Sequence, residues 1–472
     1  KKNGVRSEKR KGKSIMFLAN AISWLRDLIW GAPMIVLLFG THLFLTFRLR
    51  FIQRHTFRAI RMSAKADEGA SGDISQFGAL ATALAATIGT GNIVGVSTAV
   101  ALGGPGAVFW CWMTGVFGIS TKYAESLLSV KYRVRLKDGS MAGGPMYTIE
   151  RGLGIKWLAV LFAVFAVLAT FGAGCTVQSH AITDVIRTSF GIDPAISGAV
   201  VTVLTAVVIL GGVKQISRVC EKLVPFMALF YIVGAACILF LNRHFLLPAL
   251  YTIVTSAFSL QSVAGGFLGS AMMIACKYGV ARGLFSNESG LGTAPIAAAS
   301  AQTKNPVRQA MVSMTGTFWD TVVVCAVTGI VIVSSQLRLP ELYTNAADDA
   351  LTQIAFAQLP YVGSYVLAIA LSIFAFTTIL GWSYYGERCV TYLFGAKRVT
   401  PYRILFLAVL FYGAVADLGV IWTFSDLMNG LMAFPNLVSV LLLSGVIVKE
   451  TRHYLWEKRL DENAPPVPEV DE

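Results

Sequence analysis

The chain has 472 residues, of which 55% are apolar and 14% are charged, and its formal net charge is +13. The average soluble domain carries roughly 25% charged residues, so this chain has too few polar side chains to cover its apolar ones in water. The composition excludes an ordinary soluble enzyme, a disordered protein and a nucleic-acid-binding protein. It predicts an all-α polytopic membrane protein that lies in a lipid bilayer.

The excess of positive charge is explained by membrane topology. The chain has 39 basic residues against 26 acidic ones. The basic residues occur in short runs between apolar segments, as they do in the cytoplasmic loops of membrane proteins. The seven cysteines form no Cys-x-x-Cys pair, so neither a disulfide framework nor a zinc site is indicated.

The N-terminal part of the chain precedes the main apolar region. Residues 1–14 are a basic tail that we expect to be disordered and outside the fold. Residues 15–73 are predicted to contain an interfacial helix, an extra transmembrane helix over 31–47 and a basic cytoplasmic loop.

Ten further apolar segments bring the predicted number of transmembrane helices to about eleven. They divide into a first set of five within residues 74–241 and a second set of five within residues 250–448. The segments are 74–101, 105–130, 156–187, 195–212, 222–241, 250–283, 307–333, 361–394, 402–416 and 420–448.

The charged connections predict the orientation of the chain in the membrane. If all eleven segments span, three basic stretches fall on the cytoplasmic side: 131–137, 214–222 and 397–403. The tail over 449–472 is then cytoplasmic and the N-terminus lies outside. The basic residues 1–13 would prefer the cytoplasm, but the six charges within 48–65 and the downstream loops outweigh them.

Two apolar segments are interrupted by small and polar residues. Residues 87–92 read TIGTGN and residues 264–270 read AGGFLGS. Non-helical backbone is tolerated in a membrane only where it is buried or lines a cavity. A Gly-interrupted span at the start of each half is typical of an inverted-repeat transporter. The alternative for the first segment is a small-residue packing face formed by Gly91 and Gly95.

Other sequence motifs give no support to an enzyme. The glycines at 89, 91 and 95 have one residue too many for a dinucleotide-binding fingerprint, and no strand precedes them. The chain also contains no HExxH and no GxSxG sequence. We therefore predict that the protein is not an enzyme.

Four motifs resemble the sodium:alanine (alanine or glycine:cation) symporter family, and the likeness extends over about residues 25–450. These motifs are GTGN at 89–92, GGPGAVFWCW at 103–112, GGP at 143–145 with RGLG at 151–154, and RGLFSNE at 282–288.

The resemblance implies the leucine-transporter fold, in which an extra N-terminal helix precedes two inverted repeats of five helices. It also implies that sodium enters together with alanine, glycine or a similarly small amino acid. The expected location is the plasma membrane of a prokaryote, which is the inner membrane in a Gram-negative cell, with the C-terminus in the cytoplasm.

The substrate site is expected at the two interrupted helices. Freed backbone N–H groups at residues 89–92 suit a carboxylate, and freed carbonyls suit an ammonium group. The family pattern adds Gln178, and Trp382 with Phe267 would limit the size of the pocket. The predicted substrate-binding residues are Thr87, Gly89, Thr90, Gly91, Asn92, Gln178, Gly265, Gly266, Phe267, Thr378 and Trp382.

A sodium site is implied by similarity to the site shared within this fold. Sodium prefers about five or six oxygen ligands, by analogy with other hard cations. The implied ligands are Ala85, Ile88, Phe374, Thr377 and Thr378. The alternative for the two threonines is a hydrogen bond to a carbonyl of their own helix.

Four polar residues are candidates for gating or coupling: Asp320, Arg282, Asn287 and Glu288. Asp320 lies inside an apolar segment, where a carboxylate indicates a functional or a hydrogen-bonded structural role. Arg282, Asn287 and Glu288 suit a cytoplasmic gate. Two alternatives stay open: a proton-coupled symporter that uses Asp320, and a channel for a small solute. The oligomeric state stays open as well.

Overall fold

The computed structural model describes residues 20–65, 67, 69–260, 271–416 and 419–470. The predicted tail over 1–14 lies outside these residues, as do Gly265, Gly266 and Phe267. The described residues are almost entirely helical, with one short antiparallel hairpin formed by β1 (Val134–Arg135) and β2 (Met141–Ala142). The prediction of an all-α fold is confirmed.

The helices follow one another with short connections. Those in the first half are α1 (Ala32–Arg48), α2 (Thr56–Ser63), α3 (Gln76–Thr87), α4 (Val96–Gly103), α5 (Gly106–Lys131), α6 (Pro145–Thr148), α7 (Lys156–Phe171), α8 (Val177–Phe190), α9 (Pro194–Ile209) and α10 (Gly212–Leu241). Those in the second half are α11 (Leu246–Ala257), α12 (Ala271–Asn287), α13 (Ala294–Ala298), α14 (Pro306–Thr317), α15 (Ala326–Arg338), α16 (Leu351–Ala357), α17 (Gly363–Phe394), α18 (Val399–Val415), α19 (Gly419–Leu442) and α20 (Ser444–Thr451).

Seven of the described helical segments are long and apolar enough to cross a membrane. The pair Gln76–Thr87 and Gly91–Gly103, bent by 53°, makes eight if it counts as one span. The other three predicted spans fall on α5, on the shorter apolar helix α9, and on α11 with α12. Within α5, Lys122 and Glu125 lower the hydropathy.

Side-chain caps fix where several helices begin. The Ser75 side chain accepts a hydrogen bond from the Gly78 N–H at the start of α3. Asp193 caps α9, and Asn305 caps α14. Each of these two caps is followed by a proline, which suits the first helical position because its missing N–H would have no partner there.

The outward faces of the peripheral helices are apolar. Large exposed side chains on α9 and α10 include Ile196, Val200, Val203, Val207, Phe226, Leu229, Val233 and Phe240. A soluble protein would hide such stripes against another element. In a bilayer they face lipid tails, so their exposure agrees with a membrane-embedded protein.

A break between α12 and α13 lies beside the break that follows α3. Glu288, Gly290 and Gly292 have φ values of 53°, 98° and 83°, in the left-handed region. A Cβ built on Gly91 would lie 3.4 Å from the Phe285 ring and 3.5 Å from the Ser286 Cα. Two interrupted helices thus meet inside the protein. The interruption predicted at 264–270 lies outside the described residues.

Candidate functional site

The first break is stabilised by its own asparagine. After α3 ends, Ile88 takes an extended backbone conformation with ψ 92°. The Gly89 N–H then donates to Asn92 Oδ1 at 2.9 Å. A side chain therefore satisfies a backbone donor that the broken helix would leave unpaired.

Asp320 holds this break from the opposite side. Asn92 Nδ2 donates to Asp320 Oδ1 at 2.7 Å, and the Ser286 hydroxyl donates to Asp320 Oδ2 at 3.0 Å. The Thr321 hydroxyl also donates to Oδ2, at 2.6 Å. Asp320 lies in the π-helical turn Phe318–Cys325 and is fully buried. It therefore joins three chain segments through hydrogen bonds.

A small cavity lies between the two breaks, and seven of the eleven predicted substrate-binding residues line it. Asn92 does not, because its amide is bonded to Asp320 and Gly89. Gly265, Gly266 and Phe267 are outside the described residues. The lining residues are Ala86, Thr87, Gly89, Thr90, Gly91, Ala173, Gln178, Phe285, Glu288, Leu291, Thr378, Trp382 and Asn429.

The cavity is small. Its free space is about 20 Å³, which is roughly the room needed by one water molecule. A Cβ built on Gly89 would lie 2.6 Å from Thr378 Oγ1, and one built on Gly174 would lie 2.2 Å from the Trp382 Cβ. Glycine at these positions lets the backbone approach both side chains, so any larger residue would displace them.

Two buried amide oxygens are available as acceptors at this cavity. Gln178 Nε2 donates to the Ala173 carbonyl at 3.0 Å and to Thr90 Oγ1 at 3.4 Å. Gln178 Oε1 and Asn429 Oδ1 have no hydrogen-bond partner among the described residues. Gln178 was predicted from the sequence, whereas Asn429 was not. Unpaired buried acceptors are costly, and a positively charged donor would satisfy them.

Three of the five predicted sodium ligands, Ala85, Phe374 and Thr378, carry oxygens that lie together beside the cavity. Thr378 Oγ1 lies 3.1 Å from the Ala85 carbonyl and 3.0 Å from the Phe374 carbonyl. Thr377 Oγ1 donates to the same Phe374 carbonyl at 2.9 Å and also lies 3.3 Å from Met227 Sδ. Ile88, a further predicted ligand, is the residue with extended backbone that follows α3. Both threonine hydroxyls thus donate to a carbonyl of their own helix, as the alternative to sodium binding predicted.

Buried charges surround the second break. Glu288 lines the cavity and accepts a hydrogen bond from the Thr293 hydroxyl at 2.5 Å. Glu125 Oε1 accepts from the Gly290 N–H at 3.0 Å. Lys122, one turn before Glu125 on α5, is 2% exposed. Its ammonium group has no hydrogen-bond partner among the described residues, and it interacts electrostatically with the carboxyl groups of Glu125, Glu288 and Asp320.

The structure separates Arg282 from the other two proposed gate residues. Asn287 Oδ1 accepts from the Ser289 N–H at 2.9 Å, so Asn287 belongs to the central break with Glu288. Arg282 lines another cavity with Asp426 and Trp30. Trp30 precedes α1, so this cavity lies at the end of α1 opposite to the basic segment 48–65. Arg282 does not fit a gate on the basic side.

Known proteins match nearly the whole length of this chain. The model described as the sodium:alanine symporter family matches residues 15–467. An uncharacterized transporter of Haemophilus influenzae is 51% identical over 451 residues, which are 94% of this chain and 98% of the relative. The sodium/alanine symporter AgcS of Methanococcus maripaludis is 49% identical over 446 residues, which are 93% of this chain and 98% of the relative.

A solved structure identifies the fold. The crystal structure of MhsT in complex with L-phenylalanine has a TM-score of 0.54 at 13% identity, and it covers 81% of this chain and 98% of that chain. The leucine-transporter fold predicted from the sequence is confirmed. The relatives are transporters, so the prediction that the protein is not an enzyme is also confirmed. This multi-pass membrane protein, built for sodium-coupled transport of an amino acid, belongs to the sodium:alanine symporter family.

Proposed function

We propose that the protein couples inward sodium flow to the uptake of alanine or glycine by alternating access. The observation that carries this proposal is the cavity between the breaks. It combines backbone at the start of a helical segment, two unpaired amide oxygens and the Thr378 hydroxyl. The Trp382 side chain at its wall and the close approach of Gly89 and Gly174 to neighbouring side chains favour a substrate with a minimal side chain.

The amino acid would be held at its two charged ends. Its carboxylate would lie at Thr90 and Gly91, where the segment Gly91–Gly103 begins and the helix dipole is positive. Its ammonium group would donate to Gln178 Oε1 and Asn429 Oδ1, which lack partners among the described residues. Trp382 lines the cavity and would limit the size of the substrate side chain.

Sodium would bind beside the substrate. The Ala85 and Phe374 carbonyls already lie within 3.1 Å of the Thr378 hydroxyl. A sodium ion would lie between these oxygens, with the Thr378 hydroxyl proton turned away so that its oxygen coordinates the ion, and the Ile88 carbonyl would add a ligand. Thr377 would join when its hydroxyl turns away from Met227.

The proposal also includes the orientation of the chain and the membrane in which it lies. The basic segments 48–65, 131–137 and 397–403 place that side of the protein in the cytoplasm, together with the C-terminal tail. The membrane would be the plasma membrane of a prokaryote. Asp320 is hydrogen-bonded away from the cavity, which favours sodium coupling over a proton relay through this carboxylate.

Uptake of labelled alanine into proteoliposomes tests the function. We expect alanine to accumulate above its outside concentration with an inward sodium gradient, and not with potassium in its place. Glycine should compete strongly, serine less and leucine least, because the cavity is small. Accumulation driven equally by a proton gradient in potassium would contradict sodium coupling. Equilibration without accumulation would identify a channel.

Replacement of Asn429 by leucine tests the ammonium site. We expect alanine affinity to fall about tenfold or more, because a hydrogen bond to a charged group contributes roughly 1.5–3 kcal/mol. Binding to purified protein measures this directly. Ser425→Ala, one turn earlier on α19, is the control, since Ser425 does not line the cavity. Unchanged affinity in Asn429→Leu would exclude Asn429 from substrate binding.

A further inference from the structure

The C-terminal segment folds back across the basic end of the protein. We define residues 463–470 as the C-terminal strap. Its first contact is with the loop before α14, where the Ala464 N–H donates to the Lys304 carbonyl at 2.7 Å. The neighbouring Asn305 side chain donates to the Leu460 carbonyl at 2.8 Å and to the Glu462 carbonyl at 2.9 Å. One end of the strap is therefore anchored at this loop.

The other end of the strap pairs with the hairpin. The Arg135 N–H donates to the Pro468 carbonyl at 2.9 Å, and the Val470 N–H donates to the Arg135 carbonyl at 3.1 Å. Glu469 thereby forms a parallel bridge with Arg135 of β1. The strap forms this single bridge with β1, and it ties the hairpin to the loop before α14.

Charge complementarity reinforces this placement. The residues around the strap include Asp461, Glu462 and Glu469, whereas the surface beneath includes basic side chains. Asp461 forms an ion pair with Arg308 at 2.8 Å, and Arg308 also pairs with the buried Asp67 at 2.7 Å. Two ion pairs that share one arginine hold the segment before the strap in place more strongly than an isolated surface pair does.

A closed contact lies between the two anchors of the strap. We define the gate contact as residues 71–75 packed against residues 299–302. The Gln302 N–H donates to the Ile74 carbonyl at 2.8 Å, and the Ile74 N–H donates to the Ser300 carbonyl at 3.2 Å. Arg133 crosses this contact by donating to the Ala301 and Ser71 carbonyls at 2.7 and 3.0 Å.

The two halves of this contact belong to the two broken helices. Residues 71–75 lead directly into α3, and residues 299–302 follow α13. Opening the cavity toward this side requires that α3 and α13 separate here. The hairpin is attached to the first half of the contact, because the Met141 N–H donates to Asp73 Oδ2 at 2.8 Å. The strap is bonded to this hairpin and to Lys304, just beyond the second half. It therefore bridges the two halves, and it must lengthen or detach when the hairpin moves apart with residues 71–75.

We propose that the C-terminal strap restrains the opening of the gate contact and thereby limits the rate of transport. The proposal rests on the proposed transport function, because only a cycling carrier must open this contact. Detachment of the strap would shift the population toward the conformation that is open on the basic side. The transport rate would rise because the opening of this contact is the step that limits the cycle.

Two variants remove the strap's bonds in different ways. One truncates the chain after Glu462. The other is Ala464→Pro with Val470→Pro, which removes the two strap N–H donors and leaves the chain length unchanged. The matched control is Ala464→Ser with Val470→Ile, which keeps both donors. A monodisperse peak in size-exclusion chromatography and a cooperative thermal unfolding transition verify that each variant is folded, independently of its substrate.

Transport and gate exposure are measured separately. We expect both strap variants to raise the maximal rate of alanine uptake about twofold or more, while the control stays at the wild-type rate. In parallel, Ala301→Cys, buried in the gate contact, is labelled with a membrane-impermeant maleimide. Labelling should become faster in both strap variants, with the chain lacking Ala301→Cys as the background.

The labelling experiment does not need transport, so it distinguishes the two proposals. Faster labelling without sodium-driven uptake in any variant would support the strap's restraint of the gate and overturn the proposed function. Unchanged or slower labelling in the strap variants would overturn the strap proposal. Uptake at or below the wild-type rate in folded strap variants would overturn its effect on rate.

Discussion

Replacement of Gly89 by alanine is expected to lower sodium-driven alanine uptake about 100-fold, since overpacking by one methyl costs roughly 1–3 kcal/mol at a tightly packed site. The added Cβ would lie 2.6 Å from Thr378 Oγ1 and 3.8 Å from Gln178 Oε1. It would therefore push on the Thr378 hydroxyl, which is proposed for sodium and also lines the cavity proposed for the substrate. Both binding steps should weaken together.

Gly95 offers a matched control in the same interrupted segment. A Cβ built on Gly95 meets no atom within 4 Å, so Gly95→Ala should transport at nearly the wild-type rate. If the two glycines were needed only for backbone flexibility, both substitutions would impair uptake equally. That result would contradict a close approach of Gly89 to the binding site.

Replacement of Thr378 by valine is expected to have a large effect on the sodium requirement of alanine uptake. Valine keeps the shape of threonine and removes the hydroxyl, so the Ala85 and Phe374 carbonyls lose their shared partner. We expect the sodium concentration for half-maximal uptake to rise about tenfold or more, because an interaction with a charged group contributes roughly 1.5–3 kcal/mol. The measurement is alanine uptake across a series of sodium concentrations.

Thr377→Val tests whether the adjacent hydroxyl matters as much. Its hydroxyl lies against Met227 Sδ and must turn before it can contact sodium. We therefore expect a smaller rise in the sodium requirement than for Thr378→Val. An unchanged sodium dependence in Thr378→Val, with normal protein folding, would remove Thr378 from the sodium site.

The sequence identified the first helix break because the signal is local. Glycines and polar residues in the middle of an apolar span are unfavourable in a helix and lie next to each other in the chain. The role of Asn92 is different, because its partner Asp320 is 228 residues away. Which side of the break a polar side chain faces depends on a neighbour that the local pattern does not reveal.

The break at Glu288–Gly292 has a local sequence pattern that was interpreted as a gate rather than as a helix break. Residues 286–293 read SNESGLGT, and two of their glycines have positive φ. Asn287 and Glu288 within this run were predicted to form part of a cytoplasmic gate. The same polar, glycine-rich run also predicts an interrupted helix, and this reading would have placed Phe285 and Leu291 at the cavity.

Asn429 and the start of α10 show two further features that the sequence did not predict. Asn429 is a lone amide in an apolar helix, and no motif distinguished it from a packing residue, so its position at the cavity required the tertiary fold. Helix α10 begins at Gly212, ten residues before the predicted apolar segment 222–241. Hydropathy detects the part of a helix that faces lipid, and a polar helical extension such as Lys214–Lys222 escapes it.

Thr378 lies at the boundary of two neighbouring sites. Its side chain lines the cavity proposed for the amino acid, and its hydroxyl lies between the two carbonyls proposed for sodium. A single rotamer therefore serves both ligands, and whichever binds first orders it for the other. Thermodynamic linkage then requires reciprocity: the factor by which sodium tightens alanine binding equals the factor by which alanine tightens sodium binding.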